Sequence, residues 1–299
     1  MPDATFQLPS TGQIFLDHVG WFVPDMAAAA PVFDSLGFPL TPFSVHQDRD
    51  PASGVVSPVG SANRLAMLGR GYLEILTPVG DADTPVARHM RSALTRHVGV
   101  HLIAFTVADA GAAAERLAAG GFALSPTVNL RRTIEAADGT TVEVAFTVVR
   151  PVLGSIPEGR MQVLTHHTPE HMWQARYLPT ANAITGLTGA VLAVPDVTDS
   201  AARLGRLVDR VAAAVPDGME IAPDRGRLLL VSPDGARRLT GAPAPVLPSV
   251  VAIELASRDL DQTARFLASR GIEVRSEGGD RLIVPAHLAA GVTVIVQQA

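Results

Sequence analysis

Glu74 is the residue whose surroundings in the sequence most strongly indicate chemistry. It lies within Tyr72-Leu-Glu-Ile-Leu-Thr77, with apolar residues on both sides along a predicted strand. A carboxylate in such a strand is expected to be buried, and a buried charge needs a cation or strong hydrogen-bond donors. The alternative is an edge strand that exposes Glu74 to water, and the apolar neighbours make it the weaker interpretation.

The amino-acid composition excludes several kinds of site and of binding partner. The 299 residues contain no cysteine, so thiolate nucleophiles, disulfides and cysteine-based zinc sites are excluded. Any metal must be held by histidine, carboxylate, amide or water. The net charge is −5 without a basic cluster, which argues against nucleic acid or an anionic membrane as the main partner. We expect a cytoplasmic protein that binds a small-molecule substrate or ligand, because neither a leader sequence nor a long apolar run is present.

A repeated unit must position these side chains. An apolar strand ends at an aspartate that can cap a following helix, and this occurs four times, at Asp25, Asp109, Asp196 and Asp259. In the first unit, Gly37 and Phe38 end the helical stretch, and Phe38 follows its aspartate by 13 positions. Two other units keep this spacing, and one copy is looser. The glycine is expected to supply the left-handed residue after each helix.

Three strands follow each helix, so the unit is β-α-β-β-β. In the first two units, for example, we predict that the strand after the helix covers residues 40–45 and 123–130. The fold class is therefore α+β, with paired modules that form curved mixed sheets. We predict two tandem domains, 11–178 (modules 11–80 and 97–168) and 183–299.

Paired units of this kind resemble the vicinal oxygen chelate superfamily, which includes glyoxalase I, extradiol dioxygenases and bleomycin resistance proteins. Three segments carry the closer resemblance to its glyoxalase-like domain proteins, namely residues 16–25, 60–76 and 161–173. The resemblance implies a cup-shaped sheet with a divalent metal inside, bound by the first and last strand of each unit. Such a metal acts as a Lewis acid toward neighbouring oxygens of a substrate.

The same resemblance implies metal ligands in this sequence. His18 takes the first position, Glu74 the second and Gln162 the last, while Leu102 stands where another histidine is usual. His101 is adjacent to Leu102, so on a regular strand it faces the other side unless a β-bulge rotates it. Zn, Ni, Mn and Fe(II) all suit such an incomplete site.

Other polar residues are candidates for the same pocket. His166 and His167 follow Gln162, and either could turn inward or form a polar strand end. We predict Glu74 or His167 as catalytic base. Substrate contacts are predicted for a group of polar and aromatic residues, each with a structural role as the alternative: Asn63, Arg132, His166 and Trp173.

The second domain lacks these signals. Gly189 and Ala252 stand at the positions that correspond to His18 and Leu102, and the terminal strand carries no carboxylate. We therefore expect the second domain to serve packing, closure of the pocket or formation of a homodimer.

Three functions remain open. The first is a metal-assisted isomerase, lyase or dioxygenase acting on a small oxygenated metabolite. The second is a metal-free protein that sequesters a small molecule, as bleomycin resistance proteins do, and Leu102 supports it. The third is a scaffold whose role is oligomerisation.

Overall fold

Two eight-stranded mixed sheets form the core of this computed structural model, which describes residues 7–49 and 53–299. The first sheet contains β1 (Ile14–Phe22), β2 (Ser44–Arg49), β3 (Val56–Met67), β4 (Tyr72–Pro78), β5 (Gly99–Val107), β6 (Val128–Glu135), β7 (Thr141–Val149) and β8 (Arg160–His166). The second contains β9 (Ile184–Ala193), β10 (Ala213–Val215), β11 (Gly218–Ile221), β12 (Arg227–Val231), β13 (Ser249–Ser257), β14 (Arg275–Glu277), β15 (Arg281–Val284) and β16 (Thr293–Gln298).

Helices connect the strands. They are α1 (Met26–Ser35), α2 (Pro85–Arg96), α3 (Ala110–Ala119), α4 (Pro169–Met172), α5 (Val197–Val208), α6 (Pro233–Thr240) and α7 (Leu260–Ser269), with short 3-10 helices at Ala175–Tyr177 and Ala286–Leu288. The predicted α+β architecture of repeated β-α-β-β-β units is confirmed. None of the helices in the described ranges is long and apolar enough to cross a membrane. The expected cytoplasmic location stays a prediction.

The predicted helix caps are present. The four aspartates each accept a hydrogen bond from a backbone N–H in the first turn of α1, α3, α5 or α7. Gly37 follows α1 with a φ of +85°, a conformation that glycine adopts without strain. The looser third unit ends at Asp209 instead, with a φ of +54°. These local signals fix where each helix begins and ends.

The strands predicted at 40–45 and 123–130 begin later than expected. β2 begins at Ser44 and β6 at Val128, while Leu40 and Leu124 form only isolated bridges. Pro42 precedes β2 and lacks the N–H that a continuous ladder needs.

Both sheets have the same strand order. The first runs β2-β3-β4-β1-β5-β8-β7-β6, and the second runs β10-β11-β12-β9-β13-β16-β15-β14. The two central strands of each sheet are antiparallel, and each is parallel to its other neighbour. The first strand of each unit is therefore central, where its side chains are covered on both faces.

Alternate side chains of the central strands face two different cores. On β1, Trp21 joins a large cluster that includes both sheets and the helices packed on them, whereas Phe22 joins a separate cluster on the opposite face. We call this opposite face the inner face of the first sheet, and its cluster also contains Leu102, Phe146 and Trp173. The second sheet has a corresponding inner face, whose cluster contains Val191, Leu229 and Ile295 among others.

Backbone hydrogen bonds join the two sheets near the start of β1. The Leu16 N–H donates to the Arg225 carbonyl at 2.7 Å, and the Asp224 N–H donates to the Ile14 carbonyl at 2.9 Å. Arg70 exchanges two further bonds of this kind with β9. The strand that carries His18 is thus held from both sheets.

Candidate functional site

The strand register brings the three predicted ligands together. His18 lies opposite Ala104 on β5, Ala104 lies opposite Gln162 on β8, and Glu74 on β4 lies opposite Gly20, two residues after His18. Residues directly opposite one another share a face of the sheet. The His18 Nε2 atom is consequently 3.6 Å from Glu74 Oε2 and 3.2 Å from the Gln162 amide nitrogen.

Asp17 completes this group, although it was not among the residues predicted from the sequence. The register of β1 against β5 shifts between Leu16 and His18, so Asp17 is an extra residue in the ladder. Its fully buried carboxylate accepts hydrogen bonds from His18 Nδ1 at 2.6 Å and from His166 Nε2 at 2.9 Å. A bulge thus lets two adjacent residues serve the same face.

The Asp17 carboxylate determines how His18 is oriented. Burial raises the pKa of Asp17, but the charges and hydrogen bonds of His166 and His18 outweigh burial and hold this pKa well below its ordinary value. An ionised carboxylate only accepts hydrogen bonds, so His18 Nδ1 carries the proton that is shared with it. In the neutral ring, the Nε2 lone pair then points toward Glu74 and accepts from the Gln162 amide.

Glu74 is not on an edge strand, because β4 lies between β3 and β1. Its side chain is 16% exposed, and the Asn63 amide donates to Oε1 at 2.7 Å. Burial raises the pKa of Glu74, but the charges of His18 and His46, the Asn63 hydrogen bond and Arg132 together bring it below the ordinary value. An ionised carboxylate therefore faces an imidazole nitrogen across a short gap, which is an arrangement suited to a cation.

Aromatic rings close one side of the group. Tyr72 stacks on His18 with centroids 4.3 Å apart, and Trp173 packs edge-on against Tyr72 and His166. The Trp173 indole N–H donates to the Leu68 carbonyl at 3.1 Å. Burial, together with the Asp17 and Glu74 carboxylates, raises the pKa of Tyr72 well above its ordinary value, so its hydroxyl stays protonated.

The two candidate histidines after Gln162 separate. His166 follows Gln162 by four residues on β8 and lies on the same inner face. Its Nε2 donates a hydrogen bond to the Asp17 carboxylate, so His166 helps to hold Asp17 in place. His167 is exposed, and its Nε2 lies 2.8 Å from the Thr147 hydroxyl. His167 therefore lies outside the group formed by His18, Glu74 and Gln162, and its predicted role as a base stays a prediction.

His101 is turned by a bulge that the sequence gave no reason to expect. The β1–β5 register shifts between Gly20 and Trp21, opposite His101. Its ring packs against Phe22 with centroids 5.1 Å apart and donates to the His97 carbonyl at 2.9 Å. This places His101 beside the inner-face cluster, directed toward the end of α2.

Leu102 lies on the inner face, at the position where the resemblance to the superfamily implied that a histidine is usual. It lies opposite Gly20, and a Cβ at Gly20 would be 2.8 Å from the Leu102 Cβ. The glycine therefore accommodates the leucine side chain. No group of three or more His, Asp or Glu side chains within residues 7–49 and 53–299 is placed to hold a metal ion.

His46 is a second residue that the sequence analysis missed. It lies at a register shift of β2, and its Nδ1 is 2.9 Å from the Ser61 hydroxyl. Burial lowers the pKa of His46. The strand β2 is mostly polar, so no periodic signal in the sequence identifies His46.

The second sheet carries an ion cluster around a buried carboxylate at the corresponding place, which was not among the expectations from the sequence. Gly189, at the position of His18, lies opposite Arg227 and Glu254. Arg227 donates to Glu254, which is 3% exposed, at 2.6 and 2.5 Å, and to Glu220 at 2.8 Å. A Cβ at Gly189 would collide with the Glu254 carboxylate. The positive charge at this location is therefore the Arg227 guanidinium. Arg227 and Glu220 also line a cleft of about 720 Å³.

Comparisons with known proteins agree with this architecture. A family model described as a glyoxalase-like domain matches residues 16–208, well over half of the chain. A hypothetical protein from Staphylococcus aureus is similar with a TM-score of 0.66 and 8% identity, over 96% of this chain and 100% of that one. None of the curated proteins compared with the chain matches it.

Two further solved structures are similar in fold. A mutant of 4-hydroxymandelate synthase from Streptomyces coelicolor has a TM-score of 0.58 and 16% identity, over 96% of this chain and 92% of that one. A xylose isomerase-like TIM barrel/4-hydroxyphenylpyruvate dioxygenase fusion protein has a TM-score of 0.58 and 11% identity, over 98% of this chain and 50% of that one. At these identities the likeness extends to the fold alone.

Removing the guanidinium from the second sheet should destabilise the protein. We expect Arg227→Met to lower the free energy of unfolding by about 3 kcal/mol, because Glu254 would be left buried without a counter-charge. Arg131→Met is the matched control, since it breaks an exposed ion pair with Glu143 and should cost less than about 1 kcal/mol. Urea unfolding measures both, and equal losses would contradict the role assigned to Arg227.

Acid should weaken the fold through His97 and His101. Burial lowers the pKa of each to about 4, below the value of about 6.5 for an unfolded histidine. As pH falls between these values, the unfolded chain binds protons that the folded protein does not, so stability decreases. His101→Gln should lose about 1–2 kcal/mol less than the wild type between pH 7 and pH 5 in urea unfolding. The exposed His167→Gln is the control, and equal pH dependence in both variants would refute the assignment.

Proposed function

This chain belongs to the glyoxalase-like domain family of the vicinal oxygen chelate superfamily, and we propose that it is a metal-assisted enzyme acting on a small oxygenated metabolite. The reaction would be an isomerisation, a lyase reaction or a dioxygenation. The observation that carries the proposal is the gap of 3.6 Å between His18 Nε2 and the Glu74 carboxylate, with the Gln162 amide beside it.

The donor set fits a divalent cation that is held modestly. A gap of 3.6 Å leaves room for an ion that makes bonds of about 2.1 Å to each atom. Asp17 holds the far nitrogen of His18, as carboxylates commonly do for metal-binding histidines. Gln162 can add a third ligand through its amide oxygen. Zn, Ni, Mn and Fe(II) remain the candidates, because a set that includes an amide and lacks one ligand does not discriminate among them.

When bound, a divalent ion would supply Lewis-acid polarisation of substrate oxygens. Glu74 is the group of this chain that is fitted to accept a proton, since it is ionised, partly exposed and held in orientation by Asn63. His18 is fixed by Asp17 and by its stacking on Tyr72. Trp173 and Tyr72 exclude water from the closed side of the group.

A second candidate function is metal-free sequestration of a small molecule. It is favoured by Leu102, which fills the position of a further ligand with an apolar side chain. It shares the pocket with the first proposal and differs from it in needing neither metal nor turnover.

The division into domains 11–178 and 183–299 is part of the same proposal. The second domain, whose corresponding position carries Arg227 and Glu254 in place of metal ligands, would serve closure of the pocket or formation of a homodimer. The small-molecule site would then belong to the first domain.

Metal binding tests the proposed function. Wild-type protein should contain about one divalent ion per chain or gain thermal stability from Zn, Mn, Ni or Fe(II), and Glu74→Gln should weaken that binding at least about tenfold. Elemental analysis and thermal-shift titration measure this. Glu143→Gln, on the exposed β7 surface, is the control and should bind like the wild type. An absence of metal together with no stabilisation by any of the four ions would refute the proposal, and ligand binding without metal would favour sequestration.

A further inference from the structure

Two arginines reach the inner face of the first sheet near Glu74. Arg160 on β8 precedes Gln162 by two residues, so both side chains leave the strand on the same side. Arg132 on β6 lies opposite Val144, which belongs to the inner-face cluster. The register therefore places two guanidinium groups on the face that carries the proposed site.

Neither arginine has a partner of opposite charge within hydrogen-bonding reach in the part of the chain that the structure describes. The Nε atom of each is buried and makes no hydrogen bond, and neither side chain forms an ion pair there. A buried donor without a hydrogen-bond partner is costly for a folded protein, and in each arginine the rest of the side chain is only partly exposed. By contrast, Arg227 and Arg203 each hold two carboxylates.

The positive charges of Arg132 and Arg160 interact with Glu74 and its neighbours. Arg132 contributes to the lowered pKa values of Glu74 and His46. Burial and the charge of Arg150 lower the pKa of Arg160 to about 10, while Glu74 opposes this shift, so Arg160 remains charged at neutral pH. Both guanidinium groups therefore interact electrostatically with residues of the proposed site.

An apolar surface adjoins the two charges. Leu130 lies two residues before Arg132, opposite Phe146 of the inner-face cluster, and is 45% exposed. An exposed leucine on this face offers a contact for the apolar body of a small molecule.

We propose that Arg132 and Arg160 bind the anionic group of a small organic carboxylate or phosphate whose apolar body packs beside Leu130. Guanidinium groups match both anions in geometry and charge. This inference rests on the proposed function, because it names the substrate class of the same site. The anion would be held by the arginines while its neighbouring oxygens lie toward His18 and Glu74.

Calorimetric titration of EDTA-treated protein tests the inference without any metal. The probes are benzoate and phenylphosphonate, with benzamide as the uncharged counterpart, all at one ionic strength. The anions should bind at least about tenfold more tightly than benzamide, since hydrogen bonds to charged groups exceed neutral ones. The stronger of the two anions identifies carboxylate or phosphate as the recognised group.

Variants assign the binding to these arginines. Arg132→Gln and Arg160→Gln should each weaken anion binding by about tenfold or more, and Arg160→Lys should retain part of it, because charge remains without the guanidinium fork. Arg131→Gln is the control, since Arg131 is the neighbouring, 68% exposed residue paired with Glu143. Its anion binding should match the wild type, and circular dichroism verifies that each variant is folded.

Two results would overturn the inference. The first is equal affinity for benzamide and both anions, and the second is unchanged anion binding in folded Arg132→Gln and Arg160→Gln. The anion titration uses metal-free protein, so its outcome is separate from the metal test. Anion binding without any metal binding would refute the metal-assisted enzyme and leave this inference standing, whereas metal binding without anion preference would do the reverse.

Discussion

The hydrogen bond between the Asp17 carboxylate and His18 Nδ1 is the interaction on which the site depends. At 2.6 Å, with both side chains buried, it leaves His18 a single orientation and directs the other ring nitrogen toward Glu74. Burying a carboxylate this deeply costs several kcal/mol unless it is well compensated. Two imidazoles provide the compensation, and Tyr72 stacks on one of them, so the residues that hold the charge also shape the pocket.

Register shifts between β1 and β5 make this arrangement of Asp17 and His18 possible. In a regular ladder Asp17 and His18 would face opposite sides, and the register shift after Leu16 allows both to serve the inner face. A second shift, opposite His101, packs that ring against Phe22 while Leu102 stays on the inner face. In the second sheet the same β-α-β-β-β unit places Arg227 and Glu254 at the equivalent location. The cation at that location is therefore a guanidinium of the protein itself.

Much of this could be read from the amino-acid sequence, because the relevant signals are local. The capping aspartates and the glycine after α1 mark helix ends, and the resemblance to the vicinal oxygen chelate superfamily implied that His18, Glu74 and Gln162 would converge. The β-bulges could not be predicted from the sequence, because they arise from pairing between distant strands and leave no periodic pattern. That is why Asp17 was overlooked and the orientation of His101 was predicted as on a regular strand. Buried pairs such as Arg227 and Glu254 were missed because their partners are distant in sequence.

The most direct test of the account is the position of the proton on His18. Nitrogen-15 NMR of histidine-labelled, metal-free protein at pH 8, with the signal assigned from its loss in His18→Gln, reports which ring nitrogen carries hydrogen. The account predicts a proton on Nδ1 and a bare Nε2. A proton on Nε2 with a bare Nδ1 would contradict it, because Asp17 could not then be holding the ring in the orientation that faces Glu74.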